Sequence, residues 1–98
     1  MKEITTKIAG ISFYQENVAY VRPNDRLKIE RDYNNAYDRN AVKIMTADNR
    51  MLGFLRKEIA EKYAEYVEKG FVECFVKQVT GGEGKTKGIN ILLRIKNG

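Results

Sequence analysis

The sequence predicts a small, mainly β domain: a barrel-like sheet of five to six strands carrying one helix, an α+β chain. Three observations carry that expectation. Several short runs alternate apolar and polar residues at the period of a strand, and one late stretch, 57–70, has the period of a helix instead. A glycine, Gly10, breaks the phase of the first strand-like run, as happens where a sheet bends toward closure. The chain of 98 residues is long enough for one domain, 1–98, and for one core. Its 43% hydrophobic and 32% charged content is that of a soluble globular domain.

Residues 4–14 (ITTKIAGISFY) form the first predicted strand. Ile4 and Ile8 are in one phase and Ile11 and Phe13 in the other, so a bulge at Gly10 is expected to reconcile them. Pro23 marks a turn before RLKIER (26–31), where Leu27 and Ile29 share a face. AVKIM (41–45) and MLGFL (51–55) flank the turn Ala47-Asp48-Asn49-Arg50 and read as a hairpin. The predicted helix over 57–70 places Ile59, Tyr63, Tyr66 and Val67 on one face, beside Ala60 and Ala64. Glu58–Lys62 and Glu65–Lys69 have helix-pair spacing, and Gly70 suits the C-terminal cap. FVECFVKQV (71–79) and INILLRIK (89–96) supply two longer strands.

Composition excludes much chemistry. The chain has no histidine, so the commonest general base, the usual zinc ligand and every Ser-His or Cys-His pair are missing. Its single cysteine, Cys74, cannot form an internal disulfide and alternates with Val72 and Val76; it is either a packing residue or a reactive thiol. There is no apolar run that would span a bilayer and no signal-peptide stretch, so the expected location is cytoplasmic with no membrane partner. Net charge is +5, and the residues from Lys77 onward carry five cations against Glu83 alone. Such an end suits a polyanion.

Three stretches invite a functional reading. TGGEGKTKG (80–88) resembles a phosphate loop, but Val79 stands where the first glycine is required and a strand follows instead of a helix. It is either a hairpin connection or a mobile loop whose Lys85 and Lys87 touch phosphates. Glu30, Asp32, Asp38 and Asp48 are the carboxylates available to a metal-dependent nuclease, but they lack a ligand spacing. The third stretch, RDYNNAYDRNAVKI (31–44), is longer than a hairpin requires. Asn34, Asn35 and Asn40 either shape a turn or line a site. Tyr33 and Tyr37 could stack on bases, and Asp38 would repel a phosphate yet accept from a hydroxyl.

These residues resemble the HIRAN domain family from about Gly10 to Val79. The resemblance rests on G-x-x-F-Y (10–14), R-D-x-N-N-x-Y-D-x-N-A-V (31–42), L-G-x-L (52–55) and K-E-x-A (57–60). The family occurs at the N-terminus of certain SWI/SNF-type DNA translocases and as stand-alone bacterial proteins. It implies an OB-like or SH3-like barrel that binds single-stranded DNA and captures a 3′ end. Carried over by position, Tyr37 would meet the terminal base, Asp38 the terminal hydroxyl, and Asn35 would line the pocket. Phe13 and Tyr14 would form a wall on the first strand, and Lys57 would contact a phosphate. The chain departs from the family at Tyr33 and Ala36, where proline is common. Ser12 stands in place of an arginine, and Phe54 in place of a polar ring. Arg56 or Lys77 would have to compensate for the missing arginine, with Lys85 and Lys87 as further phosphate contacts.

The expected function is therefore a non-enzymatic module for single-stranded DNA with a free 3′-hydroxyl, acting without a cofactor or metal. A DNA-processing protein is a candidate partner. The rival from another class is a protein-interaction domain using the same groove for a peptide, and a cryptic nuclease is the third reading.

Overall fold

The computed structural model describes residues 1–96. Six strands form one antiparallel sheet: β1 (Lys2–Lys7), β2 (Arg26–Arg31), β3 (Val42–Met45), β4 (Met51–Phe54), β5 (Val72–Thr80) and β6 (Gly88–Ile95). Their order is β1-β6-β5-β2-β3-β4. Ala9, just past β1, bridges Phe54 in β4, so the two ends of the sheet meet and the sheet curls into an OB-like half-barrel. A short helix α1 (Gln15–Val18) and the longer α2 (Lys57–Glu68) complete the fold.

The core follows the strand alternation. Ile89, Ile91, Leu93 and Ile95 of β6 are all buried, facing Val72, Cys74 and Val76 of β5. Each such side chain contributes about 1.5–3 kcal/mol by leaving water. Cys74 is enclosed among them, and burial pushes its thiol up to about 12, so it is a packing residue rather than a reactive thiol. On α2, Ala60, Tyr63, Ala64 and Val67 face the core. Gly70 ends the helix at φ 77, where its N–H bonds Val67 O at 3.0 Å and the Phe71 N–H bonds Tyr66 O at 2.9 Å.

Two expectations need correction. The first strand stops at Lys7 instead of running to residue 14. Gly10 turns the chain at φ 74 into a 3-10 helix over Ile11–Tyr14, so the phase slip marks the end of a strand and not a bulge. The physical cause is the end of the ladder: Ala9 exchanges two hydrogen bonds with Phe54, at 2.8 and 2.9 Å, and β4 stops there. On α2, Tyr66 is exposed, meeting Tyr63 edge-on at 5.6 Å, and Glu58 pairs with Arg56 at 2.9 Å.

The closure depends on Gly53. Its φ is 146, and a Cβ there would lie 2.3 Å from the Ala9 carbonyl oxygen and 2.7 Å from Ile8 Cγ2. Both obstacles are firm, one being backbone and the other a buried core side chain. Gly53→Ala is expected to lower unfolding free energy by about 2–4 kcal/mol. Urea titration checks this; a midpoint equal to wild type would mean that the closure yields without cost.

Candidate nucleic-acid interface

The loop between β2 and β3 is organised by its own polar side chains. Asn35 Oδ1 accepts the N–H groups of Tyr37 at 2.9 Å and Asp38 at 3.0 Å. Asp38 Oδ1 accepts the Asn40 N–H at 2.9 Å, and Asp32 Oδ1 accepts the Asn34 N–H at 3.2 Å. The Asp32 N–H and the Ala41 carbonyl close the loop's neck at 2.8 Å. Asn35 thus braces the loop backbone through its Oδ1 instead of turning that oxygen to a pocket. Asp32, Asn35 and Asp38 each thus spend one oxygen on the loop's own backbone.

Arg31 fastens this loop to α2. Its guanidinium donates to the Arg39 carbonyl at 2.9 Å and lies 3.4 Å from Glu68 Oε2. It also sits 5.1 Å from the Tyr33 ring centroid, while the Tyr33 hydroxyl donates to Glu68 Oε1. Tyr33 is thereby engaged as part of the clamp. The Tyr33 hydroxyl, with Arg31 beside it, holds the Glu68 carboxyl below its ordinary range. Sequence reading missed Arg31 and Glu68 as a unit. The only signal was the arginine opening the motif, since Glu68 lies 37 positions away.

What the loop leaves outward is Tyr37, 99% exposed. Asp38 is half-buried, and its Oδ2 has no donor among the described residues. The hydrogen-bond ladder brings other candidates toward the same rim. The Leu55 N–H donates to Val42 O at 2.9 Å, next to the loop's exit, and Phe54 pairs with Ala9. The loop exit, the β4–α2 junction with exposed Arg56 and Lys57, and Gly10, which opens the turn Gly10–Tyr14, therefore follow one another along one rim. Phe13 on that turn is 81% exposed; Tyr14 is half-buried, so the expected strand wall is a helical turn with one projecting ring.

The remaining cations are placed differently. The Gln15 side-chain amide donates to the Lys87 carbonyl and accepts the Lys87 N–H, both at 2.8 Å. The Lys87 backbone is thus held to the first residue of α1, with the Lys85 and Lys87 side chains exposed. Lys77 is not brought to the rim. Register pairs Arg26 with Phe75, so Lys77 lies beyond the first residue of β2 while the loop leaves its last. At about 3.4 Å per residue β2 alone separates them by roughly 17 Å.

No cluster of three or more Cys, Asp or Glu residues that could hold a metal occurs among the described residues. Asp48 instead accepts from Thr46 and Arg50, which hold its carboxyl below the ordinary range, and Glu30 lies 4.0 Å from Lys43. No described helix is long and apolar enough to cross a membrane.

Comparison with known proteins decides the family, because the profile described as the HIRAN domain matches residues 1–96. The chain belongs to the HIRAN domain family. Helicase-like transcription factor of Oryctolagus cuniculus is 32% identical over 57 residues, which cover 58% of this chain and 5% of that protein. This HIRAN chain thus spans a small part of the curated relative it matches. The crystal structure of the HIRAN domain of human HLTF superposes with TM-score 0.75 at 23% identity, covering 95% of this chain and 74% of that one. The NMR structure of the HLTF HIRAN domain in its DNA-bound conformation gives TM-score 0.66 at 23% identity, over 94% and 72%.

Two outcomes test the loop of this HIRAN domain. Asn35→Ala removes the acceptor of two backbone N–H groups and is expected to cost about 1–2 kcal/mol. Hydrogen exchange at Tyr37 and Asp38 should quicken with it; unchanged exchange would mean that the brace is dispensable. Glu68 titrates with a depressed folded-state pKa, so its contribution is present above the ordinary carboxyl range and lost as pH falls through the folded value. An acid titration followed by NMR should therefore show Tyr33 and Arg31 shifting below that range, and in Glu68→Gln this acid step should disappear.

Proposed function

We propose that this chain is a non-enzymatic nucleic-acid-binding module whose rim takes a single strand of DNA by its 3′-hydroxyl end. The observation that carries the reading is Tyr37, an almost fully exposed ring presented by a loop that Asp32, Asn35 and Asp38 brace through their side-chain oxygens. Such a ring is a ready stacking platform, and its presentation costs little further ordering when a base arrives. Asp38 beside it offers a carboxylate oxygen to a donor. A terminal hydroxyl supplies one; a phosphate there would meet like charge.

Further support comes from Phe13 on the adjoining turn and from Arg56 and Lys57 at the start of α2. The related HLTF domain, which shares this fold, has been solved in a DNA-bound conformation. Ser12, in the place where the family has an arginine, is exposed and brings no charge. Phe54 is half-buried and approaches Gly10, so it closes the rim between the two segments with apolar surface. Binding here would draw on stacking more than on ion pairing.

Fluorescence anisotropy with short strands ending in 3′-hydroxyl or 3′-phosphate tests this reading. Wild type should prefer the hydroxyl. Tyr37→Ala should weaken binding by about 1–3 kcal/mol, roughly five- to 150-fold. Asp38→Asn keeps an acceptor for the Asn40 N–H and should abolish the preference while leaving the loop folded. Equal binding of both ends by wild type would remove end capture and leave general strand binding.

A further inference from the structure

A hollow of about 280 Å³ opens on the outer face of the sheet, lined by Asn24, Phe75, Val76, Lys77, Leu92 and Arg94. Two backbone irregularities build it. Asn24 holds φ 76 in the turn before β2, an uncommon conformation for a residue with a side chain. Its N–H donates to Val76 O at 2.7 Å, and the Val76 N–H donates to Asp25 O at 2.8 Å, so the turn is stapled to β5. Immediately after that staple the β5–β6 register shifts between Val76 and Gln78, leaving Lys77 as the extra residue. A bulge re-aims the side chain it carries. Lys77 is exposed, with Nζ 3.5 Å from Thr5 Oγ1 on the next-but-one strand, while Val76 before it is buried.

The floor of the hollow is apolar. Phe75 and Leu92 are paired across β5 and β6, and both are half-buried. The Arg94 guanidinium lies 5.2 Å from the Phe75 ring centroid and that of Arg26 lies 6.0 Å from it. Arg94 meets Glu3 through Nε at 3.0 Å, which leaves the terminal nitrogens of its fork for a second acceptor. None of the six lining residues is acidic, and Lys77 and Arg94 can only donate. An apolar floor under a donor rim matches a nucleotide unit: a flat ring below, a phosphate above.

We propose that this hollow is a second contact for a polynucleotide, taking a backbone phosphodiester between Lys77 and Arg94 on a strand that continues past the rim. The inference rests on the nucleic-acid reading above but not on capture of the 3′ end. The separation from the loop means that only a strand of several nucleotides reaches both places, within the span of about 4–16 nucleotides that such folds cover.

The test is a salt series of anisotropy titrations on the whole chain, using a single-stranded DNA of about 16 nucleotides. Lys77→Gln removes one exposed ammonium and should flatten the slope of log K against log salt by about 0.7, the loss of one phosphate contact. Preference for the 3′-hydroxyl should not change, and Lys77→Arg should restore the slope. A slope equal to wild type in Lys77→Gln would overturn the second contact. Should wild type bind no oligonucleotide, this contact and the reading beneath it fall together. Should it bind without end preference while Lys77→Gln still flattens the slope, end capture alone falls and this contact stands.

Discussion

The domain depends on one close approach, the backbone of Ala9 lying against β4 over a residue that has no side chain. With Gly53 in that place, Ala9 and Phe54 exchange two hydrogen bonds and the first and last strands of the sheet order meet. The core is thereby enclosed from both edges, and two sheet edges that would each expose unpaired backbone are partly covered. The same contact decides where the proposed binding rim sits. Gly10 can turn away only after Ala9 has been paired, so Phe13 emerges on a helical turn packed against β4 instead of farther along a strand. Stability and placement of the rim are consequences of one steric fact.

The loop between β2 and β3 shows a second economy. A segment of ten residues between strands must satisfy its own N–H and C=O groups or lose them to water. Asp32, Asn35 and Asp38 do this locally, and Arg31 adds a tie to α2 through Glu68. With the backbone satisfied from within, the loop can hold a large ring in solvent without a packed partner. The Arg31 Nε is enclosed without an acceptor among the described residues, so the clamp is less than fully satisfied. Its net contribution comes from the terminal nitrogens and from stacking against Tyr33.

Legibility in the sequence tracked the locality of the cause. β2, β5, β6 and α2 were readable because alternation and helical period are written within each segment, and burial follows them directly. The turn at Gly10 is not legible because its cause is the pairing of Ala9 with Phe54, 45 positions apart, and apolar spacing alone does not separate a bulge from a chain leaving the sheet. The loop motif announced itself as unusual, yet the division of labour inside it did not. Tyr33 and Tyr37 look alike in sequence; one is tied down by Glu68 and the other stands free of the surface. Lys77 reads in sequence as a candidate phosphate contact, but its place on a bulge does not show there, since a bulge depends on the register of two strands and leaves no mark of its own.

The distribution of charge bears on how the proposed end site would work. At the rim the family's arginine is replaced by Ser12, and Arg56 is already 2.9 Å from Glu58, so Lys57 and the loop's Arg39 are the exposed cations there with no carboxylate partner among the described ion pairs. A carboxylate, Asp38, sits in the same place. The local electrostatic attraction for a polyanion is correspondingly small, whereas the residues from Lys77 onward supply most of the chain's net +5. Counterion release scales with the number of phosphates neutralised, so retention of a strand must come largely from that other region. On the proposed reading the chain separates two tasks that an arginine at Ser12 would have merged. Tyr37 and Asp38 discriminate the end by stacking and hydrogen bonding, which salt screens weakly, and the remote cations hold the strand by a force that salt screens strongly. Such an arrangement lets selectivity persist at ionic strengths where affinity has already fallen.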